Sequence, residues 1–518
     1  MDEENQIEIH APNFYDIISY NSKEIITIKK EFNQIKKTYK NDFKIKNYSK
    51  IIASICFIFV THLSCSITYS EWLSKETDLW IGPIEVLLVN AFSGILFSLF
   101  GGQPLIILGI TGPVVIYTIT MYKIAKSLEL NFLAFYGFSG FISGLFHILV
   151  GLKNWCNIVK YITKFTCELF ETLIGVIYTI KGIEILVLIF LNESNNIFLL
   201  SFLLAMFIYH FNRMLKSLSN SRFFNESFRR FCNDYSVFLS LFISVGLQFI
   251  FPNINLDRIN VGNGTFVPSY CNNNYCRNWF VNIFDLPYWG FLLGILCGLI
   301  LTILFFFDHN IASLLAQQNK FNLKKSPTYN YDFLIIGILI IIGSFFGLPP
   351  VNGLIPHALL HVKSLVSYDT ENIIYVEEQR ISNLIKSGLM ALLCIPFLFK
   401  NLIGSIPNAS LSGVFIIIGI ATFDSEFVDR FLSFFEDKRI IKQNLYITGT
   451  NLLEPVTNKK IKLYTIIQII ILIIIYSITR TIIALIFPLF IGFLIPLRIK
   501  ILPKFFTDDE LELLDGNN

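Results

Sequence analysis

Long apolar blocks separated by short polar gaps run along most of this chain. A polar opening gives way to apolar segments at roughly 50–69, 84–100, 104–121, 131–151, 166–191, 197–214 and 235–252. A polar loop follows, then apolar segments at roughly 288–306, 331–346, 353–366, 384–401, 409–424, 461–479 and 481–498. Most approach the ~20 residues that carry a helix across a bilayer. The pattern predicts an all-α polytopic membrane protein of about fourteen transmembrane elements. Its parts are a tail at 1–48, a first membrane repeat at 49–252, a loop at 253–287, a second repeat at 288–499 and a tail at 500–518. The elements starting near 104 and 353 are short, as half-helices would be. Seven elements per half is an odd number, so the second half runs upside down relative to the first, an inverted repeat.

Two stretches break the apolar pattern. The first is Phe100-Gly101-Gly102-Gln103-Pro104-Leu105-Ile106-Ile107-Leu108-Gly109-Ile110-Thr111-Gly112-Pro113. The second, about 246 residues on, is Gly347-Leu348-Pro349-Pro350-Val351-Asn352-Gly353-Leu354-Ile355-Pro356-His357. Broken helices are tolerated in a membrane where they line a cavity, and one such segment in each half points to a transporter site. With inverted halves the two breaks enter from opposite faces. Their helix N-termini, with unpaired N–H groups and positive dipole ends, then face one spot suited to an anion. The bland alternative is a pair of proline-kinked packing helices.

Composition agrees: 53% of residues are hydrophobic and 15% charged, against about 25% charged in soluble proteins. The net charge of +3 says less than where the charges sit. Lys and Arg gather in the N-terminal tail and in alternate gaps: Lys153, Lys160 and Lys164; Lys216, Arg222, Arg229 and Arg230; Lys320, Lys324 and Lys325; Lys438 to Lys462. These gaps fall on one side, so that side and both tails are expected to be cytoplasmic. The 253–287 loop lies opposite; it carries Asn263-Gly264-Thr265, a candidate glycosylation sequon, and Cys271 and Cys276, a candidate disulfide or two free thiols. Ile25 to Lys44 mixes Ile and Phe with Lys, as a helix on the membrane surface would. No secretory signal is expected in the polar first 49 residues.

Several runs carry a specific resemblance. They are Gly101-Gly102-Gln103-Pro104-Leu105; Phe306-Phe307-Asp308-His309-Asn310; Ala316-Gln317-Gln318 with Phe321 to Lys325; Tyr331-Asp332; Gly347 to Pro350; Asn352-Gly353 with Ile355-Pro356; His361 with Lys363-Ser364-Leu365; and Glu378-Gln379-Arg380 with Ser382-Asn383-Leu384. The chain resembles solute carrier family 4, and within it most the borate transporters of plants and fungi, over roughly 45–500. The resemblance implies a core domain of elements one to four and eight to eleven. It implies a gate domain of elements five to seven and twelve to fourteen, a homodimer through the gate, and an elevator-type movement. By this resemblance the large cytoplasmic domain of animal bicarbonate transporters is expected to be missing, as in the borate branch. Two positions depart from the borate branch. Thr111-Gly112-Pro113 stands where that branch usually has Ala-Glu-Pro, and resembles the Ser-Gly-Pro of the exchangers. His357 stands where that branch commonly has Gln and animal exchangers often have Arg. A Glu/Lys pair of the borate branch is reversed here, as Lys181 and Glu184, which keeps its attraction at i,i+3.

The candidate substrate-binding residues are Thr111, Gly112, Pro113, Asp308, Leu354, Ile355, Pro356 and His357. Asp308 ends an apolar run, where an ionisable group is costly and a functional candidate by default; the alternative is an acid at a helix mouth facing water. His357 opens the second half-helix and offers a neutral donor or a titrating charge; the alternative is a packing histidine. Thr111 and Gly112 offer a hydroxyl and a bare N–H. Gln103, Pro104, Asn310, Asn352 and Lys363 are read as supporting the site, Gln103 and Asn352 by satisfying broken backbone and Lys363 by capping a helix C-terminus. His62, His147 and His210 are read as packing residues, and Glu168 and Glu171 as solvated or paired. A membrane enzyme would need clustered nucleophiles, acids or ligands. The histidines are scattered, and His357 with His361 lack a third metal ligand. The expectation is therefore a transporter without cofactor, metal or nucleic-acid partner. It would act on a small inorganic anion, borate or bicarbonate, with a coupling proton or cation. Alternatives are a chloride/bicarbonate exchanger or a transporter of sulfate or a nucleobase. The plasma membrane is the expected location, with a vacuolar or other endomembrane as the alternative.

Overall fold

The computed structural model describes residues 27–44, 47–218, 221–258, 267–272, 275–317, 321, 323–368, 374–395, 401, 404–421, 423, 426–435 and 458–515. The sequon at Asn263 and residues 1–26 of the tail lie outside them. Each of the fourteen predicted segments holds a helix. In the first half these are α2 (Tyr48–Glu76), α3 (Pro83–Phe100), α4 (Gly112–Ser127), α5 (Phe132–Leu152), α6 (Lys164–Asn192), α7 (Asn195–Ser217) and, after the short α8 (Glu226–Asp234), α9 (Ser236–Leu247). In the second they are α10 (Tyr288–Ala316), α11 (Tyr329–Phe345), α12 (Ile355–Ser364), α13 (Ile381–Leu393), α14 (Asn408–Ala421), α16 (Asn458–Thr479) and α17 (Phe487–Lys500), with the short α15 (Glu426–Leu432) before α16. Seven of the described helices are long and apolar enough to cross a membrane alone. The first half-helix starts at Gly112 rather than near 104, because the chain stays non-helical from Gly101 to Thr111.

Packing divides the helices into two groups. Helix α5 lies along α11 and α10, and α13 lies along α3 and α2; α6, α7 and α9 pack on α14. The α5–α11 contact is close because glycines meet there. A Cβ added at Gly144 would sit 2.6 Å from the Gly337 carbonyl, and one at Gly337 2.8 Å from the Gly144 carbonyl. Without a hydrophobic drive between helices in lipid, such small-residue contacts supply the packing.

The two breaks meet. Strand β1 (Leu108–Gly109) pairs with β4 (Asn352–Gly353) antiparallel, in the register Leu108↔Gly353 and Gly109↔Asn352. Helix α11 ends before the second break in a glycine cap. Gly347 adopts φ +58°, and Leu348 N–H returns to the Gly343 carbonyl at 3.0 Å, a Schellman-type closure. Pro113 and Pro356 sit in the first turns of α4 and α12, where a missing N–H costs nothing.

On the loop side, Cys271 and Cys276 are joined as a disulfide across β2 (Cys271–Asn272) and β3 (Tyr275–Cys276). Arg277 is buried against Glu85 at 3.5 Å and donates to the carbonyls of Gly347 and Phe346. On the opposite face α1 (Ile28–Thr38) is amphipathic as expected, yet it docks on protein. Ile35 is buried, and Glu31 accepts from Asn330 and Tyr331 at the start of α11. Helix α18 (Asp508–Asp515) closes that face, with Asp515 paired to Arg498 at 2.6 Å.

Candidate functional site

Eleven residues of non-helical backbone in a membrane segment need partners, because each buried group left unpaired costs about 1–3 kcal/mol. Side chains of the second half supply many of them. Asp332 accepts from the N–H groups of Gly102 (2.5 Å) and Gln103 (3.2 Å) and from the Thr328 hydroxyl (2.7 Å). Arg380 donates to the carbonyls of Ser98 and Gly101 at the end of α3, and is held by Asp42 at 2.9 Å. Asn383 donates to the Ile106 carbonyl at 3.1 Å, and Leu354 N–H to the Ile107 carbonyl at 2.9 Å. His361 Nδ1 faces the Leu105 carbonyl at 2.8 Å and its Nε2 faces Ser382 Oγ at 2.6 Å. A carbonyl only accepts, so Nδ1 carries the proton, and neither nitrogen is left for a metal.

The predicted supporting residues divide. Gln103 Oε1 accepts from Leu105 N–H at 3.4 Å. Asn352 accepts from Gly353 N–H at 2.9 Å and donates to the Phe305 carbonyl at 3.3 Å, which ties the second break to α10. Pro104 is buried in the break. Asn310 donates to the Phe306 carbonyl of its own helix at 2.7 Å. Lys363 is exposed in the last turn of α12, where the helix dipole favours a cation.

The predicted binding residues surround the β1–β4 crossing. Thr111 is the N-cap of α4 and donates its hydroxyl to Asp308 Oδ2 at 2.8 Å. Asp308 is fully buried in mid-helix, with α10 continuing to Ala316, so it does not face water at a helix mouth. Its second oxygen makes no well-formed hydrogen bond among the described residues, although the Asn352 side chain lies beside the carboxylate. Gly112 N–H donates to the Tyr178 hydroxyl at 2.9 Å, and Tyr69 OH to Tyr178 OH at 2.5 Å. Leu354 is the N-cap of α12, Ile355 its first residue, and Pro356 is exposed. His357 is buried beside the Thr61 backbone, with neither ring nitrogen in a well-formed hydrogen bond.

Three residues at the crossing carry no prediction from sequence, and a fourth carries a different one. His62, read as a packing residue, stands edge-on to His357 with ring centroids 5.7 Å apart. Its Nε2 lies against Gly109 so closely that a Cβ there would overlap it. Lys386 on α13 is fully buried and reaches His62 Nδ1 at 3.2 Å. Tyr69 and Tyr178 cap α4 from α2 and α6. Glu168 turns out buried and paired, to Arg430 at 2.5 Å. Lys181 and Glu184 do pair, at 3.5 Å. A separate cavity lined by Trp80, Tyr122, Lys126 and Arg277, among others, holds none of the predicted binding residues.

Comparison with known proteins fits this geometry. The family described as the HCO3- transporter integral membrane domain matches residues 25–195 and 189–518. Boron transporter 1 of Saccharomyces cerevisiae is 31% identical over 493 residues, which is 92% of this chain and 83% of that one. Band 3 anion transport protein of Rattus norvegicus is 28% identical over 90% of this chain and 52% of its own length. Among solved structures, the transmembrane domain of the cyanobacterial bicarbonate transporter BicA superposes with a TM-score of 0.54 at 17% identity, over 82% of this chain and 98% of that one. The murine anion transporter Slc26a9, in its inward-facing state, gives 0.57 at 11% identity, over 91% of this chain and 71% of that one. These likenesses show the inverted-repeat transmembrane fold. The chain is a member of solute carrier family 4, the bicarbonate-transporter family.

Proposed function

We propose that this protein is a secondary active transporter of a small inorganic anion, borate (with boric acid) or bicarbonate, bound at the β1–β4 crossing. The observation that carries this reading is the antiparallel β1–β4 crossing, which brings the two breaks together, with the N-cap of α4 bonded to the buried carboxylate Asp308. First-turn N–H groups of α4 and α12 have no partners within their helices and lie at positive dipole ends. An oxyanion suits them. The names of the relatives, a boron transporter and an anion transport protein, support the same class.

Asp308 supplies the coupling. An anion and an ionised carboxylate repel strongly in a desolvated site. Substrate therefore binds best with a proton on Asp308 or a cation beside it, and the two cargoes move together. The group α2 to α5 with α10 to α13 carries the site and slides against the group containing α6, α7, α9 and α14, which also makes a homodimer contact. Both tails face the cytoplasm.

Reconstitution into liposomes with parallel boron and bicarbonate flux assays tests the proposal. Saturable flux of at least one is expected, above protein-free vesicles. A chloride requirement on the opposite side would identify a chloride/bicarbonate exchanger, which the Thr111-Gly112-Pro113 run favours. Movement of sulfate or uracil with neither boron nor bicarbonate would overturn the reading. A homodimer is expected in detergent; a monodisperse monomer that still transports would remove any need for it.

A further inference from the structure

The buried face of α13 is a stripe of polar residues: Ser382, Asn383, Lys386 and Ser387. Positions three and four apart share a helix face, so one face serves the first break throughout. Ser382 and Asn383 help to satisfy its backbone. Ser387 packs against Gly94 of α3, where a Cβ would lie 2.9 Å from its own Cβ. Lys386 does not satisfy backbone. Its Nζ is fully buried, takes part in no ion pair among the described residues, and meets His62 Nδ1 at 3.2 Å. No carboxylate among the described residues faces it. The titratable groups around it are His62 from α2 and His357 and His361 from α12. His361 is engaged on both nitrogens, as described above.

In its ammonium form Lys386 has only donors, so His62 Nδ1 then accepts and Nε2 carries the ring proton. The Lys386 contact thus fixes one tautomer of His62. The Nε2–H it fixes has no acceptor among the described residues and lies against Gly109 of β1, with His357 opposite. Gly109 lacks the Cβ that would block this approach. A buried cation without a counter-charge is costly unless something anionic arrives. The place that faces it is the crossing where the two half-helices point.

We propose that Lys386 and His62 form the cationic wall of the anion site: Lys386 locks the His62 tautomer, and His62 Nε2–H donates to an oxygen of the bound oxyanion. This rests on the reading of the crossing as an oxyanion site. His62 is the binding residue and Lys386 the positioning residue. Together they favour a charged oxyanion over a neutral hydroxylated acid, because only the charged ligand gains from the lysine.

The test compares Lys386→Met, His62→Leu and His62→Gln with the wild type as purified full-length protein. The readouts are ligand-induced thermal stabilisation and liposome flux, with bicarbonate as charged probe and boric acid at neutral pH as uncharged probe. Lys386→Met should raise the apparent bicarbonate Kd at least tenfold and leave that for boric acid within threefold. It should melt at the wild-type temperature or above, since an apolar side chain of similar length replaces an unpaired buried charge. His62→Gln, which keeps a donor near Nε2, should retain more bicarbonate affinity than His62→Leu. If the wild type binds bicarbonate and Lys386→Met binds it equally well, the cationic wall is wrong while the oxyanion site stands. If Lys386→Met melts lower and loses both probes together, the lysine is a structural residue and the proposal is overturned. If bicarbonate and boric acid both leave the wild type unchanged, the oxyanion reading of the crossing falls, and the wall with it.

Discussion

Asp332 and Asp308 are both fully buried carboxylates, and exchanging each for Asn should give opposite results. Asp332 holds three donors: Gly102 N–H at 2.5 Å, Gln103 N–H at 3.2 Å and Thr328 Oγ1 at 2.7 Å. An Asn at 332 brings one acceptor oxygen and one NH2 group. The NH2 faces a donor, so at least one backbone N–H of the first break loses its acceptor. Each buried group orphaned this way costs about 1–3 kcal/mol, and losing the charge on the remaining bonds adds roughly 1 kcal/mol more. The expected penalty is roughly 2–4 kcal/mol of stability. Asp308 accepts one well-formed bond, from Thr111 Oγ1 at 2.8 Å, with the Asn352 side chain beside it. The amide oxygen of Asn can accept that bond, so Asp308→Asn should cost under about 1 kcal/mol. It removes the ionisable group on which coupling depends. Thermal unfolding in detergent, with flux normalised to folded protein in liposomes, measures both effects. Asp332→Asn should melt several degrees lower and still transport per folded molecule. Asp308→Asn should melt close to wild type and lose at least about tenfold of its flux, the scale of a 1.4 kcal/mol change. The reverse pattern, a stable but inactive Asp332→Asn with an unstable, active Asp308→Asn, would refute the division between backbone support and site.

Any side chain at Gly112 falls on the Tyr178 hydroxyl that caps α4, so Gly112→Ala and Gly112→Glu should both lose that cap; only Glu adds a charge, so only Glu should shift the boron-to-bicarbonate flux ratio towards boron, and equal ratios in the two variants would disprove a charge effect at this position. Burial of Glu31 outweighs its bonds from Tyr331 and Asn330 and raises its carboxyl from 4.5 to about 7. The docked helix α1 then binds the proton more tightly than the undocked one, so docking is fully favoured below pH 4.5 and weakens as pH rises through about 7; the protection of α1 amides, the intrinsic base-catalysed exchange rate divided by the measured one, should fall between pH 6 and 8 in the wild type and stay level in Glu31→Gln, and equal pH dependence of protection in both would refute it. A cysteine introduced at Gly264 should label from outside intact cells, because Lys and Arg cluster on the other side; labelling only after permeabilisation, in protein shown to be at the plasma membrane, would reverse the orientation.

The breaks were legible because glycine and proline punctuate an apolar chain in a way that hydrocarbon forbids to an ordinary span. Their meeting was legible too, since an odd number of elements per half turns the second half over. The pairing of side chains to backbone was not. Asp332 lies 230 residues from Gly102, and Arg380 lies 279 from Gly101. The sequence marks both ends as unusual without saying that they meet. For the same reason Ile25 to Lys44 read as a membrane-surface helix: its amphipathic pattern fits either a lipid face or a protein face, and only the bonds of Glu31 to Asn330 and Tyr331 decide.

His62 and Lys386 are the instructive omissions. A lysine inside the apolar run Ile381–Leu393 is a functional candidate on membrane energetics alone. It passes unnoticed beside the Glu378-Gln379-Arg380 run, of which Arg380 caps the end of α3. His62 looks like His147 in sequence, a lone histidine in an apolar helix. The structure separates them by what surrounds their nitrogens. His147 Nδ1 bonds to the Ser143 carbonyl of its own helix at 2.7 Å, and its ring stacks on Phe333. His62 instead meets a buried ammonium on one side and the crossing on the other. The same distinction sorts the acids. Every described oxygen of Asp332 is occupied by broken backbone or Thr328, whereas Asp308 keeps one oxygen unpaired beside the two half-helices. In an inverted-repeat carrier, polar groups that complete the broken backbone hold the frame. Those left incomplete where the breaks meet, Asp308, His309, His62 and His357, are the ones an arriving ligand can complete. Hydrogen-bond completeness, which depends on partners hundreds of residues away, therefore separates frame from site where residue type and spacing cannot.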